Sequence, residues 1–116
     1  MDKLTFYRTC VKQLLQKYAT YRPAHGEIEV QTIFDNDNEH YQLVMLGWDK
    51  GERVYGCTMH LDIKDGKIWI QHNSTDALIA RELIAMGVAK EDVVIGFHAP
   101  YKRSFNPLAY IDSEIL

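Results

Sequence analysis

Alternating apolar and polar residues form two neighbouring runs within residues 53–73, and these runs flank an Asp65-Gly66 dipeptide. Asp-Gly between such runs is typical of a two-residue type I′ hairpin, because both central residues need a positive φ. The pattern predicts five cross-strand pairs: Lys64 with Lys67, Ile63 with Ile68, Asp62 with Trp69, Leu61 with Ile70, and His60 with Gln71. A slip of one residue would mix the aliphatic face with the polar face, so the pattern favours this register.

Two more alternating runs, residues 27–34 and 40–48, precede this hairpin. The Asp and Asn cluster at residues 35–39 between them is typical of a turn. It lacks the glycine and the distal glutamate of a calcium-binding loop, so turn chemistry is the favoured interpretation. With Lys50-Gly51 at the tip of the next hairpin, the pattern predicts a four-stranded antiparallel meander with its strands in sequence order.

Helical periodicity flanks the predicted sheet. Residues 3–20 carry an apolar residue at every third or fourth position, with Asp2 as a suitable N-cap. Residues 77–86 form a second such segment, preceded by three N-cap residue types at 74–76 and followed by Gly87 as its C′ residue. Residues 93–97 are apolar and β-branched, which predicts a short strand followed by a loop. The predicted fold class is therefore α+β, a four-stranded antiparallel meander packed against an N-terminal helix and a second helix, with a short C-terminal strand and loop.

The second hairpin predicts which residues share each face of the sheet. Its pairs are Trp48 with Arg53, Leu46 with Tyr55, and Val44 with Cys57, and uninterrupted alternation places them with Met59, Leu61 and Ile63 on the helix-covered face. The opposite face is too apolar to be open to water, and two helices are too few to cover both sides. Its candidate partner-contact residues are Tyr41, Leu43, Met45, Val54, His60 and Trp69. The partner would be a second copy or another protein; cover by residues 93–116 is the alternative.

Composition limits the class of protein. The 116 residues suffice for a single domain, 1–116, and the 47% hydrophobic and 25% charged content is that of a soluble globular protein. No apolar run approaches the ~20 residues of a membrane span, and the N-terminus lacks the apolar core of a signal peptide. Cys10 and Cys57 are expected to be free thiols in a reducing cytoplasm.

Charge is unevenly distributed along the chain. The net charge of −3 argues against a dedicated nucleic-acid binder. Residues 1–22 nevertheless carry five basic side chains and one acidic side chain, whereas residues 23–49 carry six acidic side chains and no Lys or Arg. Tyr101, Lys102 and Arg103 form a candidate recognition loop for phosphate or for an acidic partner. An ordinary solvated loop and a solvated surface explain the same charges.

The five histidines raise the question of metal or catalytic chemistry. None stands in a His-x-x-x-His or Glu-x-x-His spacing, and no nucleophile elbow or phosphate-binding loop is present. His60 and Asp62 share a strand face, and a cross-strand polar contact is favoured there over a ligand set. We expect no catalytic residue, cofactor or metal ligand. The alternative is a small-molecule or metal-dependent enzyme that uses His60, Asp62, His72 and His98.

Several segments carry a resemblance to a known family. They are Tyr55-Gly-Cys57, residues 60–73 and residues 96–103, together with Tyr7, Tyr18, residues 26–30, 41–44 and 47–49, and a closing Leu108-Ala-Tyr110. On these residues the chain resembles the XisI family of excision-controlling factors, found mainly in cyanobacteria. The resemblance covers nearly the whole chain in order.

The resemblance implies a role in the developmentally regulated excision of a DNA element by a site-specific recombinase, alongside a second factor, XisH. The chemistry would belong to the recombinase, and no catalytic residue is carried over. The first hypothesis is therefore a non-enzymatic accessory factor that acts with a recombinase through protein contacts, chiefly with a XisH-like partner, and that involves DNA indirectly through the recombinase. The second is direct DNA binding through Lys102, Arg103 and the basic first helix, and the third is the enzyme named above.

Overall fold

A computed structural model describes residues 2–21 and 26–100 of the chain. Its elements in chain order are α1 (Lys3–Ala19), β1 (Glu27–Asp35), β2 (His40–Asp49), β3 (Glu52–Lys64), β4 (Lys67–Asn73), α2 (Ile79–Ala85), a 3-10 turn (Lys90–Asp92) and β5 (Val93–Ile95). The strands form one sheet in the order β1-β2-β3-β4-β5. The first four are antiparallel neighbours and β5 runs parallel to β4, with α2 in the crossover that a parallel pair requires. The α+β meander with a short C-terminal strand is confirmed.

Both predicted two-residue turns are present. Lys50 and Gly51 have φ values of 52° and 80°, and Asp65 and Gly66 have values of 55° and 75°. Two successive positive φ values are the signature of type I′, whose twist matches that of the flanking strands. In the turn between β1 and β2, the Asp35 carboxylate accepts hydrogen bonds from the backbone N–H groups of Asp37 and Asn38, at 3.1 and 3.0 Å.

Helix α1 begins as the sequence predicts. The Asp2 carboxylate accepts a hydrogen bond from the backbone N–H of Thr5 at 2.8 Å, which satisfies one of the unpaired donors of the first turn. The apolar stripe of the helix is buried against the sheet and comprises Tyr7, Cys10, Val11, Leu14 and Leu15. Cys10 and Cys57 are free thiols, as predicted. No helix within residues 2–21 and 26–100 has the length and apolarity that a membrane span requires.

Helix α2 begins two residues later than predicted and without a side-chain cap. Its N-cap is Leu78, and the predicted caps form a local turn instead. The Asn73 side chain accepts from the backbone N–H of Thr75 at 3.0 Å, and the Thr75 hydroxyl accepts from the backbone N–H of Ala77 at 3.1 Å. This local bonding competes with helix initiation. The predicted C′ residue, Gly87, is confirmed: it has a φ of 114° and its N–H donates to Ile84.

Two β-bulges change the predicted registers. Between β2 and β3 the predicted pairs from Trp48–Arg53 to Val44–Cys57 are present, and the next pair is Leu43 with Met59, so Thr58 is an extra residue. Between β3 and β4 the pairing follows the prediction as far as Leu61–Ile70, and His60 then pairs with His72. The predicted His60–Gln71 pair is therefore wrong, because Gln71 is the extra residue on β4.

The Thr58 bulge reverses part of the predicted face assignment. Residues on either side of it, such as Cys57 and Met59, point to opposite faces although they are two positions apart. Tyr41 and Leu43 pair with Leu61 and Met59, are 0% and 4% exposed, and belong to the core packed against the helices. The prediction that they lie on the uncovered face is wrong.

The predicted face is also wrong for two further residues of the predicted contact set. Met45 pairs with Val30 and Gly56 on the helix-covered side, and Val54 pairs with Gly47 on that side. Both are half-buried. Conversely, Val44, Leu46, Tyr55 and Cys57 lie on the opposite face, because the bulge separates them from Met59 and Leu61. Of the six predicted contact residues, His60 and Trp69 lie on the face away from the helices.

Candidate functional site

The face of the sheet turned away from α1 and α2, here called the outer face, carries an apolar patch formed by Ile33, Leu46, Trp48 and Tyr55, with the buried side chain of Val44 between them. Trp48, Tyr55 and Ile33 are 53%, 73% and 48% exposed. The Arg53 guanidinium lies 5.4 Å from the centre of the Trp48 ring. Contiguous exposed apolar surface of this kind marks contact sites in soluble proteins. The outer face is therefore a candidate interaction surface.

An acidic margin borders the apolar patch. β1 is an edge strand of the sheet, and its outer-face residues include Glu27, Glu29 and Asp35, which pair with Trp48, Leu46 and His40 of β2. Charged residues on an edge strand discourage uncontrolled strand pairing. They also give this side of the patch a negative potential, which favours a partner with basic groups around an apolar centre.

A polar cluster lies at the other end of the outer face, where β2 begins and β3 ends. One oxygen of Asp62 lies 2.8 Å from Nδ1 of His40 and 2.8 Å from Nε2 of His60. The other oxygen accepts a hydrogen bond from the Gln71 amide at 3.1 Å. The Gln42 amide lies 3.3 Å from Nδ1 of His60. The polar cluster thus consists of His40, Gln42, His60, Asp62 and Gln71.

The cluster shifts the protonation of its members. The hydrogen bond between His40 and Asp62 raises the pKa of His40 above its ordinary value. Burial by itself raises the pKa of Asp62, but the hydrogen bonds from His40 and His60 outweigh it and hold this pKa below the ordinary value. The carboxylate is therefore ionised at neutral pH, and it concentrates negative charge between two imidazoles.

Both β-bulges help to assemble the cluster. The extra residue Thr58 brings His40 opposite Asp62, whereas the uninterrupted register would have put Leu61 there. The extra residue Gln71 directs its amide to Asp62 from β4. Sequence reasoning found the His60–Asp62 pair and missed His40. The available signal was the conflict between the polar pattern of β2 and the uninterrupted register, which a bulge resolves.

Trp69 borders the polar cluster. It pairs with Asp62 across the hairpin, its indole N–H donates to the backbone carbonyl of Lys64 at 3.2 Å, and the Lys64 ammonium lies 4.7 Å from the ring centre. These contacts fix the ring against β3. Trp69 and His60 thus both lie on the outer face, and their role in binding a partner stays a prediction.

The remaining predicted chemistry is dispersed. His72 is exposed and pairs with His60 in the sheet, and His98 follows β5, where its backbone N–H donates to Ile95. In the described part of the chain, the group of three potential metal ligands with donor atoms within 4.8 Å of one another is His40, His60 and Asp62. The four residues of the enzyme hypothesis are therefore not the set that the fold brings together. Tyr101, Lys102 and Arg103 lie outside the described residues.

The basic side chains of α1 are largely compensated by acidic partners. Lys3 pairs with Asp92 at 3.1 Å, Arg8 with Glu39 at 2.6 Å, and Lys17 with Glu82 at 2.6 Å. A salt bridge to a carboxylate must be broken or shared before the same cation neutralises a phosphate. Three of the four basic side chains of α1 are therefore already paired with carboxylates of the same chain.

A cleft of about 490 Å³ opens on the helix-covered side of the sheet. It is mainly apolar, and its lining includes Tyr18, Tyr21, Val30 and Met45. Met45 therefore contributes to this cleft and not to the outer face. Thr75 and Asp76, which also line the cleft, belong to the turn before α2.

Comparison with known proteins gives one consistent result. A family model described as XisI protein matches residues 1–110. The crystal structure of a XisI-like protein from Anabaena variabilis ATCC 29413 has a TM-score of 0.82 and 44% sequence identity, covering 91% of this chain and 96% of that one. The crystal structure of the fdxN element excision controlling factor XisI from the same organism has a TM-score of 0.75 and 34% identity, covering 89% and 100%. A search of curated proteins returns no match. By the family model and by both solved structures, this chain belongs to the XisI family.

Proposed function

We propose that this protein is a non-enzymatic controlling factor for the site-specific excision of a DNA element. Its family membership supports this role, as does its similarity to a protein described as an fdxN element excision controlling factor. The cutting and joining of DNA then belong to a recombinase. The contribution of this chain is to bind another protein of the excision machinery.

The exposed apolar patch is the observation that carries this proposal. Trp48 and Tyr55 expose more than half of their surface on a sheet face that the helices leave open. Large aromatic side chains are the residues that most often dominate binding energy at protein interfaces. The acidic margin on β1 adds charge selectivity for a partner with basic groups. We assign the patch to a XisH-like protein, the partner that the family resemblance implies.

The test is association of the purified full-length chain with a XisH-like protein. We expect a complex at micromolar concentration in calorimetry and in size-exclusion chromatography. The double variant Trp48→Thr/Tyr55→Thr keeps strand-forming residues and removes both rings, so it should weaken binding at least about tenfold. Tyr21→Thr, which removes an exposed aromatic ring from the helix-covered side, is the matched control and should bind like the wild type.

Two results would overturn the proposal. One is the absence of any complex at micromolar concentration, and the other is equal binding by the double variant and the wild type. A wild-type chain that elutes as a dimer by itself, and becomes monomeric in the double variant, would assign the patch to a second copy of the chain instead.

Direct DNA binding through Lys102 and Arg103 stays a prediction, and the ion pairs of α1 argue against a large contribution from that helix. Phosphate contacts make binding steeply dependent on salt. A gel-shift assay on duplex DNA at low and at physiological salt, with Lys102→Ala/Arg103→Ala as the comparison, separates this role from protein binding.

A further inference from the structure

We propose that His40, His60 and Asp62 form a binding site for a divalent first-row transition-metal ion, for which zinc is the representative probe. The site goes beyond the proposed function and does not depend on it. Two imidazole nitrogens and a carboxylate oxygen are donors that zinc accepts in proteins, at about 2.0–2.2 Å. No short sequence motif indicates the site, because its ligands come from two strands that a bulge brings into register.

The donor atoms already lie at nearly the spacing that a metal requires. Nδ1 of His40 and Nε2 of His60 are each 2.8 Å from the same oxygen of Asp62, and all three donors lie within 4.8 Å of one another. Tetrahedral coordination at about 2.0–2.1 Å separates ligand atoms by roughly 3.3 Å. Rotation of the two rings away from Asp62 would widen the two nitrogen–oxygen distances from 2.8 Å to this spacing, and the ion would take the place of the hydrogen bonds between nitrogen and oxygen.

Surrounding amides supply the outer contacts that metal ligands need. The Gln71 amide donates to the second oxygen of Asp62 at 3.1 Å, which leaves the first oxygen for the metal. The Gln42 amide lies 3.3 Å from Nδ1 of His60, the ring nitrogen that does not face Asp62. Once Nε2 of His60 binds an ion, Nδ1 carries the proton, and it donates a hydrogen bond to the amide oxygen of Gln42 after a flip of that amide, whose nitrogen faces Nδ1 in the metal-free cluster. Such contacts orient ligands and commonly change metal affinity 10–100-fold.

The cluster is also accessible from solvent. The side chain of His40 is 54% exposed, whereas those of His60 and Asp62 are 28% and 15% exposed. Three protein ligands leave the fourth position of a tetrahedral ion for water or for a group from another molecule. An ion there would join β2 to β3 at the polar end of the outer face.

The experiment is a titration of the full-length, chelator-treated protein with Zn²⁺, followed by calorimetry, and with Co²⁺, followed by its visible absorption. We expect one saturable site per chain. His40→Ala should weaken binding at least about tenfold, since ligand loss exceeds the loss of an outer contact. His72→Ala removes an exposed histidine of the same face from outside the cluster and should bind like the wild type. The metal affinity of Gln71→Ala should lie between those of His40→Ala and His72→Ala.

Two controls keep the result interpretable. Cys57→Ser excludes the half-buried thiol of the outer face as the ligand. In the wild type, ring ¹⁵N–¹H NMR signals of His40 and His60 should change on addition of one equivalent of Zn²⁺, while those of His72 stay unchanged; this readout needs no variant to fold. The proposal is overturned if no saturable binding occurs below about 100 µM, a weak-affinity limit of about −5.5 kcal/mol. Binding that survives His40→Ala and is lost in Cys57→Ser would also overturn it.

Discussion

Two carboxylates on opposite sides of the sheet show how differently the same group is used. Asp92, on the helix-covered side, is only 9% exposed, and it accepts a hydrogen bond from the Tyr7 hydroxyl and pairs with Lys3. Asp62, on the outer face, has a similarly exposed side chain, 15% against 13% for Asp92, but it is held by two imidazoles and an amide.

The difference follows from what each side of the sheet must do. Asp92 directly precedes β5 and accepts a hydrogen bond from Tyr7 of α1, so it connects this strand to the helix that covers the core. Asp62 ties no helix to the sheet. Its partners are the imidazole and amide groups of His40, His60 and Gln71 on β2, β3 and β4, and polar side chains held on rigid strands are suited to binding a ligand. The inner side is therefore built for stability, whereas the outer side carries the candidate chemistry and contact surface.

The largest expected effect concerns two leucines on opposite faces. Leu61 is fully buried against the helices, whereas Leu46 is half-buried on the outer face. Leu61→Ala should lower the free energy of unfolding by about 3 kcal/mol, because it removes packed atoms and leaves a cavity. Leu46→Ala should cost about 1 kcal/mol. Urea denaturation of both variants measures the difference, and equal losses would contradict the assignment of the faces.

A smaller effect is expected at Asp92 and it should depend on pH. Burial by itself raises the pKa of Asp92, but the hydrogen bonds from Tyr7 and Lys3 outweigh it and hold this pKa below the ordinary 3.8. A lowered folded-state pKa means that the carboxylate stabilises the fold above the unfolded-state value and that this stability is lost as the pH falls through the folded-state value.

Asp92→Asn should therefore lower the free energy of unfolding by about 2 kcal/mol at pH 7. The gap between this variant and the wild type should narrow as the pH falls below the ordinary pKa of 3.8 toward the lower folded-state value. Urea denaturation at pH 7 and at pH 3 measures both values. Asp76→Asn, at an exposed carboxylate, is the control and should leave stability unchanged. A gap that stays constant with pH would show that the charge of Asp92 is not the stabilising group.

The labelling rates of the two thiols should distinguish the core from the outer face. Cys10 is 2% exposed in the core, whereas Cys57 is half-buried on the outer face. Burial raises the pKa of both thiols, so labelling should be slow at pH 7 and faster at higher pH. In the native protein Cys57 should react at least about tenfold faster than Cys10, a difference of about 1.4 kcal/mol in effective barrier. Mass spectrometry of the labelled peptides identifies the thiol, and preferential labelling of Cys10 would reverse the assignment.

The smallest effect is expected at Tyr55. This side chain is 73% exposed, so Tyr55→Thr should change the free energy of unfolding by no more than about 0.5 kcal/mol. The same substitution, combined with Trp48→Thr, should weaken partner binding. Thermal denaturation monitored by circular dichroism measures the first effect. A large loss of stability would place Tyr55 in the packing of the fold and would remove it from the contact surface.

Local signals predicted the strands, the turns and most of the first helix. Asp2 caps α1, Gly87 ends α2, and both type I′ turns lie where the sequence places them, because each depends on residues within a few positions of one another. The predicted start of α2 was wrong because it does not depend on neighbouring residues alone. Asn73 and Thr75 offer local hydrogen bonds that compete with capping, and their balance depends on how β4 ends.

The candidate site was predicted only in part. The His60–Asp62 pair follows from the period of a strand, but His40 belongs to another strand and becomes a neighbour only after the register shifts at Thr58. The same shift moves Tyr41 and Leu43 into the core and brings Tyr55 to the surface. One extra residue in a strand exchanges the faces of all the residues beyond it.

The sequence by itself determined the element order, the meander and the two tight turns, because alternation and turn chemistry are local properties. Only the tertiary structure decided which face each half of β3 presents, where β5 joins the sheet, and which donor atoms meet around Asp62. Alternation specifies that successive side chains point to opposite sides, but not which side faces the helices once a bulge intervenes. That choice comes from burying Tyr41, Leu43, Met59 and Leu61 together beneath α1, a condition that involves strands and a helix far apart in the chain.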